Sequence, residues 1–350
     1  MEETQDEVGI SSSVLKSFDK TSNSNGEEEV KDIIVNKRKR FLNPSRLDMP
    51  SYLLNFPASF DTHTPNNVWM ENIKPENIIV DDDIALAQWI DLYNFISAQA
   101  FVSVLPTPKY ARNLQDLVYC GNLVIVLPHL LPERTVAVIA NMEGIREGET
   151  KVGKEYFEMM GYDEVIVPPY IWDGEAMLKH LHDNVYVGGY GLRGHESKVY
   201  HWFEEQFDMK IIKIEMSNPK QFHLDCSIFP LTGTDTMVAT KEYTEEEIKN
   251  IEKETNIIDV PSKYADTGVC NNVRLNNLIL NSSDIYDLDP ILDKDDYRQE
   301  RDKNRFLEDI VIDFGFEVAF INLSEYAKGG GMLSCLVAHL NYDSYKISLV

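Results

Sequence analysis

Basic residues are scarce in this sequence. Lys and Arg number 33 against 58 Asp and Glu, a formal net charge of -25. A nucleic-acid binder needs a basic surface to offset phosphate, and the body of the chain offers none, so no nucleic-acid partner is expected. Long apolar runs are missing too. None reaches the roughly 20 residues that a spanning helix needs, so no membrane partner is expected. Cysteine is sparse, at Cys120, Cys226, Cys270 and Cys335. No two form a CxxC pair, which argues against structural zinc, and no secretory leader precedes them, which argues against a disulfide framework. The expected compartment is cytoplasmic, where a lone thiol stays reduced and reactive.

What is present reads as a globular chain, with 43% hydrophobic and 26% charged residues. Residues 1–45 depart from this. They hold Ser-Asn-Gly and Glu runs and the basic Lys37-Arg38-Lys39-Arg40, and a disordered polar tail is expected there. A single domain is expected over 46–350, with order beginning near Tyr52 to Pro57. The acidic balance suits a small cationic substrate.

Within that domain short apolar runs alternate with amphipathic stretches. Ile84, Leu86, Trp89, Ile90, Tyr93 and Ile96 predict a helix over 82–97, and Phe101 to Leu105 a strand that Pro106 closes. Leu117 to Tyr119 and Leu123 to Leu127 predict two buried strands or one long one. Strands at Val136–Ile139, Glu164–Val167, Lys210–Ile214 and Glu317–Ile321 alternate with helices near 151–160, 196–207, 244–254 and 297–314. The rhythm predicts an α/β fold.

Four segments carry candidate chemistry. Gly329-Gly330-Gly331-Met332-Leu333-Ser334-Cys335 sets a thiol at the mouth of a strand, after a turn whose glycines let backbone approach a ligand. The same segment also fits a tight turn before a buried structural cysteine. In Phe222-His223-Leu224-Asp225-Cys226, an extended backbone puts His223 and Asp225 on one face: a proton shuttle beside an anion. A plain surface His–Asp pair is the alternative. Trp172-Asp173-Gly174-Glu175-Ala176-Met177 offers carboxylates at a glycine turn, and Arg193 follows a Gly-rich strand end where it can clamp a carboxylate. Asp116 and Asn122 bracket Leu117 to Gly121 and suit either substrate contact or a turn.

In this order the segments resemble the guanidine-modifying, or pentein, superfamily, which includes arginine dihydrolases, arginine deiminases, dimethylarginine dimethylaminohydrolases and glycine amidinotransferases. The matching stretches are Asp116 to Asn122, Trp172 to Met177, Gly191 to Arg193, His223 to Asp225 and Gly329 to Cys335. Tyr52 to Pro57 and Asn67-Val68-Trp69-Met70 are similar to the N-terminal segments of the arginine-dihydrolase-like branch. The resemblance implies a five-bladed α/β propeller of ββαβ-type units with pseudo-fivefold symmetry.

It also implies a mechanism. Cys335 attacks the guanidinium carbon and His223 moves the protons. Asp225 and a carboxylate from the turn, Asp173 or Glu175, hold the guanidinium, with Asp116 and Asn122 contacting substrate and Arg193 holding the α-carboxylate. The small-molecule substrate is arginine or a derivative, and neither metal nor organic cofactor is required. Water as second nucleophile makes a hydrolase and an amine makes an amidinotransferase. Met177 stands where the resemblance calls for an aspartate, which leaves room for a catalytically impaired binding protein. A homo-oligomer stays open.

Overall fold

The computed structural model describes residues 43–346. The expected polar tail, with its Lys37–Arg40 run, falls outside them apart from its last three residues. Those three pack ahead of Tyr52. Asn43 and Ser45 are buried, and Asn43 Nδ2 donates to Thr135 Oγ1 at 3.0 Å. Among the described residues no helix is long and apolar enough to cross a membrane.

The strands are β1 (Ser51–Asn55), β2 (Phe101–Leu105), β3 (Val124–Val126), β4 (Val136–Ile139), β5 (Glu164–Ile166), β6 (Leu178–His182), β7 (Val185–Tyr190), β8 (Lys210–Glu215), β9 (Ile228–Pro230), β10 (Asp235–Val238), β11 (Asn256–Asp259), β12 (Val273–Leu275), β13 (Leu278–Ser282), β14 (Glu317–Ile321) and β15 (Ala338–His339). They form five sheets of three strands each. Every sheet follows one plan. A middle strand pairs antiparallel on one side and parallel on the other, as β4 does with β3 and β5, and β7 with β6 and β8. The parallel partner returns through a helix, because parallel strands cannot be joined by a tight turn. Those helices are Asp82–Ser97, Glu147–Met159, Lys198–Phe207, Glu245–Glu252 and Lys294–Val311. The C-terminal β15 completes the sheet of the N-terminal β1, pairing Tyr52 with His339.

Local sequence explains the helices. Asp81 caps Asp82–Ser97 by accepting from the Asp83 and Ile84 amides, and Ala85, Trp89, Leu92 and Ile96 form its buried stripe. Thr244 and Glu247 close a capping box on Glu245–Glu252. The mixed α/β architecture agrees with the strand–helix rhythm of the sequence.

Three expectations change. Leu117 to Tyr119 is not a strand. The Tyr119 amide bonds back to Asp116 O, and Cys120–Asn122 is a 3₁₀ turn. The His223 segment is extended only at His223, and Leu224–Cys226 is again a 3₁₀ turn. Cys335 sits within a single helical turn, Leu333–Leu336, one residue before the turn's end rather than at a strand mouth. Short turns thus replace strands at three of the segments that carry candidate chemistry.

Candidate active site

Close backbone approaches bring these turns together. Gly174 has φ +56°, and a Cβ there would lie 2.6 Å from the carbonyl of Asn122. Only glycine allows both the left-handed backbone and that contact. Gly331 packs its Cα on the Tyr119 ring, where a Cβ would come within 2.2 Å. Tyr119 is itself fixed, its hydroxyl donating to Tyr326 O at 2.8 Å.

A small pocket opens where the turns meet. Asn66, Asn67, Asp116, Tyr119, Asn122, Arg146, Arg193, Phe222, His223, the three glycines 329–331 and Cys335 line it. Cys335 is 5% exposed, and its Sγ lies 3.7 Å from Asp225 Oδ2 and 3.8 Å from Asn271 Nδ2. Asp225 Oδ2 also accepts from Ser334 Oγ at 2.5 Å. Burial and the Asp225 charge push the Cys335 thiol up to about 12. The unliganded site therefore holds a thiol.

His223 is buried. Its Nε2 lies 3.0 Å from Asp173 Oδ2, so that nitrogen is assigned the proton, because a carboxylate only accepts. Nδ1 faces Asn122 Nδ2 at 3.4 Å. Burial holds the imidazole below its ordinary value although Asp173 opposes this. Burial would raise the Asp173 carboxyl, but the charges and hydrogen bonds of His195 and His223 outweigh it and hold it well below the usual range. His195 Nε2 stands 3.4 Å from the same oxygen.

Charges also gather at the far side. Arg146 is buried and grips Glu149 in bidentate fashion, through Nε at 2.9 Å and Nη2 at 2.8 Å. Its Nε lies 3.7 Å from Asp116 Oδ2. Burial lowers the Arg146 guanidinium, yet Glu149 and Asp116 lift it above its ordinary value, so it stays charged. Arg193 adopts φ +53°, lies 5.1 Å over the Phe222 ring, and reaches Asn66 O at 3.3 Å. Asp116 Oδ1 and Asn122 Oδ1 are buried with no hydrogen-bond partner among the described residues. Orphaned acceptors in a polar pocket suit a donor-rich guest.

The structure thus gathers Cys335, His223, Asp116, Asn122 and Arg193 around one pocket, while Asp225 touches Cys335 without lining it. The two turn carboxylates are placed differently from the sequence reading. Asp173 faces His223 and His195, and Glu175 faces His339, with its Oε2 accepting the His339 amide at 3.1 Å. Neither lines the pocket. Met177 does not line it either: its side chain lies fully buried in an apolar cluster with Trp172 and Tyr186. Sequence reasoning missed Arg146, Asn66 and Tyr119. The nearest signal for Arg146 was a charged Arg-x-x-Glu spacing just beyond β4.

No family model matches the chain. Over 292 residues it is 25% identical to the bifunctional arginine dihydrolase/ornithine cyclodeaminase AgrE of Nostoc sp., which covers 81% of this chain and 37% of AgrE. It is 25% identical over 288 residues to the enzyme of the same description, ArgZ, of Synechocystis sp., covering 80% and 36%. The chain thus spans little more than a third of these relatives' length. A dimethylarginine dimethylaminohydrolase of Mycobacterium tuberculosis is 24% identical over 178 residues, or 51% of this chain and 54% of that one. The crystal structure of the ArgZ N-terminal domain covalently bound to a reaction intermediate superposes with a TM-score of 0.69 at 21% identity, over 83% of this chain and 97% of that one.

The chain thus resembles guanidine-modifying hydrolases in sequence and has the pentein fold. A dimethylarginine dimethylaminohydrolase structure shares the pentein fold more distantly, with a TM-score of 0.57 at 15% identity over 83% of this chain.

Proposed function

We propose that the chain is a cytoplasmic, cysteine-dependent hydrolase that acts on the guanidinium of arginine or a substituted arginine through a covalent amidino-cysteine intermediate. In this reading residues 46–350 form one catalytic domain, and the five sheets stand as blades of a propeller with pseudo-fivefold symmetry. The observation that carries the reading is the contact of Cys335 Sγ with Asp225 at 3.7 Å, in a pocket that His223 also lines. Homology to arginine dihydrolases supports it.

A guanidinium resists attack because resonance and positive charge shield its carbon. A thiolate is a strong enough nucleophile, but Cys335 alone holds its proton. The bound cation supplies the missing charge. Placed against Asp225, and against the acceptor oxygens of Asp116 and Asn122, it offsets the carboxylate that disfavours thiolate. The thiol proton passes to the unprotonated Nδ1 of His223 as sulfur bonds to the central carbon. The C–N bond breaks as His223 passes a proton to the departing amine, and an amidino-thioether remains. Asp173 holds the imidazole in the tautomer this transfer needs. Water adds next, giving its proton to His223. The C–S bond breaks and the thiol is restored.

Arg193 and Arg146 are the cations available for an α-carboxylate. If the terminal nitrogen leaves, the first products are ammonia and citrulline. Repeating the cycle on citrulline gives ornithine, carbon dioxide and ammonia.

Mass spectrometry of products from arginine, with and without glycine, tests the reading. Hydrolysis yields citrulline or ornithine with ammonia in both samples. Amidino transfer that depends on glycine would overturn it.

A further inference from the structure

Glu175 is a buried carboxylate that the chemistry above leaves unused. It is 5% exposed. Its Oε2 accepts the His339 amide at 3.1 Å, and its Oε1 lies 2.8 Å from His339 Nδ1 and 3.7 Å from Lys179 Nζ. The His339 ring is walled in, stacked on Tyr342 at 4.8 Å and edge-on to Tyr52 at 5.2 Å. Burial raises the Glu175 carboxyl, but the charges of His339 and Lys179 and the bonds to His339 hold it at about 2. It is an anion across the neutral range.

Both ends of this contact belong to segments that carry the site. Glu175 follows Asp173 by two residues, in the turn packed under Asn122. His339 ends the run from Leu333 that bears Cys335. That run has an anchor at its other end, where Asn271 Oδ1 accepts the Ser334 amide at 2.7 Å. The nucleophile is therefore suspended between two buried side chains. Buried ion pairs give little net stability over apolar packing, because desolvation offsets attraction. A leucine-sized apolar group would fill the same space without accepting the His339 amide.

We propose that Glu175 is a positioning residue: its carboxylate ties the Cys335 segment to the turn that holds the Asp173–His223 pair, and so sets the spacing between sulfur and imidazole. The assignment rests on the hydrolase reading above. Misplacement of about 1 Å in such a pair costs about 100-fold in rate.

The test compares Glu175→Gln, Glu175→Met and Glu175→Ala with wild type in arginine turnover, and in alkylation of Cys335 by chloroacetamidine. Gln keeps an acceptor for the His339 amide, and kcat is expected to stay within about threefold. Met and Ala lose it, and kcat is expected to fall by about 10–100-fold with KM changed less than about threefold. Alkylation should slow in the same order. A KM rise with kcat kept would make Glu175 a substrate contact and overturn the proposal, as would unchanged kinetics in Met and Ala. Should Ala fail to fold, Met against Gln makes the same comparison. If wild type turns over no guanidine compound, the hydrolase reading fails by itself. The alkylation arm still decides: Met reacting as fast as wild type overturns the positioning role.

Discussion

Asp225 holds one carboxylate oxygen 3.7 Å from Cys335 Sγ and 2.5 Å from Ser334 Oγ. An anion is thus built against the atom that must become an anion. The arrangement disfavours thiolate when the pocket is unliganded, and a cation bound beside the two offsets that repulsion. In the proposed function Asp225 serves both as the grip on the guanidinium and as the brake on the free thiol.

Replacing that charge separates the two roles. In Asp225→Asn the thiol loses a repelling neighbour, so alkylation by neutral iodoacetamide at fixed pH should quicken severalfold. Turnover of arginine should fall on the order of 100-fold, because the cation loses its partner. Loss of both rates together would contradict the brake.

The pH dependence of the free thiol follows from the same contacts. With burial and Asp225 pushing Cys335 to about 12, the thiolate fraction at pH 7 is on the order of 10⁻⁵. Iodoacetamide inactivation should rise about tenfold per pH unit from 7 to 10 without levelling. A plateau near pH 8.5 would show an ordinary thiol.

Arg193 gives a selectivity test. Its guanidinium is partly exposed at the pocket, over Phe222. If it holds the α-carboxylate, Arg193→Ala should raise KM for arginine about 10–100-fold and leave agmatine, which lacks that carboxylate, little changed. Steady-state kinetics on both compounds check this. An equal loss on both would assign Arg193 to the fold.

Acid stability carries the mark of Glu175. Its carboxyl lies at about 2 against an ordinary 4.5. A depressed acid contributes stability above its unfolded value and loses it as pH falls through the folded one. The gap is worth up to about 3 kcal/mol, present above about pH 4.5 and gone near pH 2. Urea unfolding at pH 5 and pH 3 should show a smaller drop in Glu175→Gln than in wild type. Equal drops would remove the pairing.

Much of the fold was legible because local signals agreed. The Asp82–Ser97 helix has a capping aspartate and an apolar stripe, and β2 ends before Pro106. Strand β6 was not legible, because Lys179, His180 and His182 make Leu178–His182 look like a charged loop. In the site, the glycine turn and the His223–Asp225 pair were readable as neighbours in sequence. Partners far apart in sequence were not. Asp173 meets His223 across 50 residues and Glu175 meets His339 across 164. In sequence both carboxylates read as substrate contacts, and only the fold shows which histidines they face. Arg146 lay hidden for the same reason, since only burial beside Asp116 distinguishes it from a surface arginine.

The most direct test of the central claim is mass spectrometry of the Cys335 peptide after acid quench during arginine turnover. The account predicts an amidino adduct on Cys335 in wild type, none in Cys335→Ala, and no turnover in that variant. Product formation with Cys335 unmodified, or turnover that survives Cys335→Ala, would contradict it.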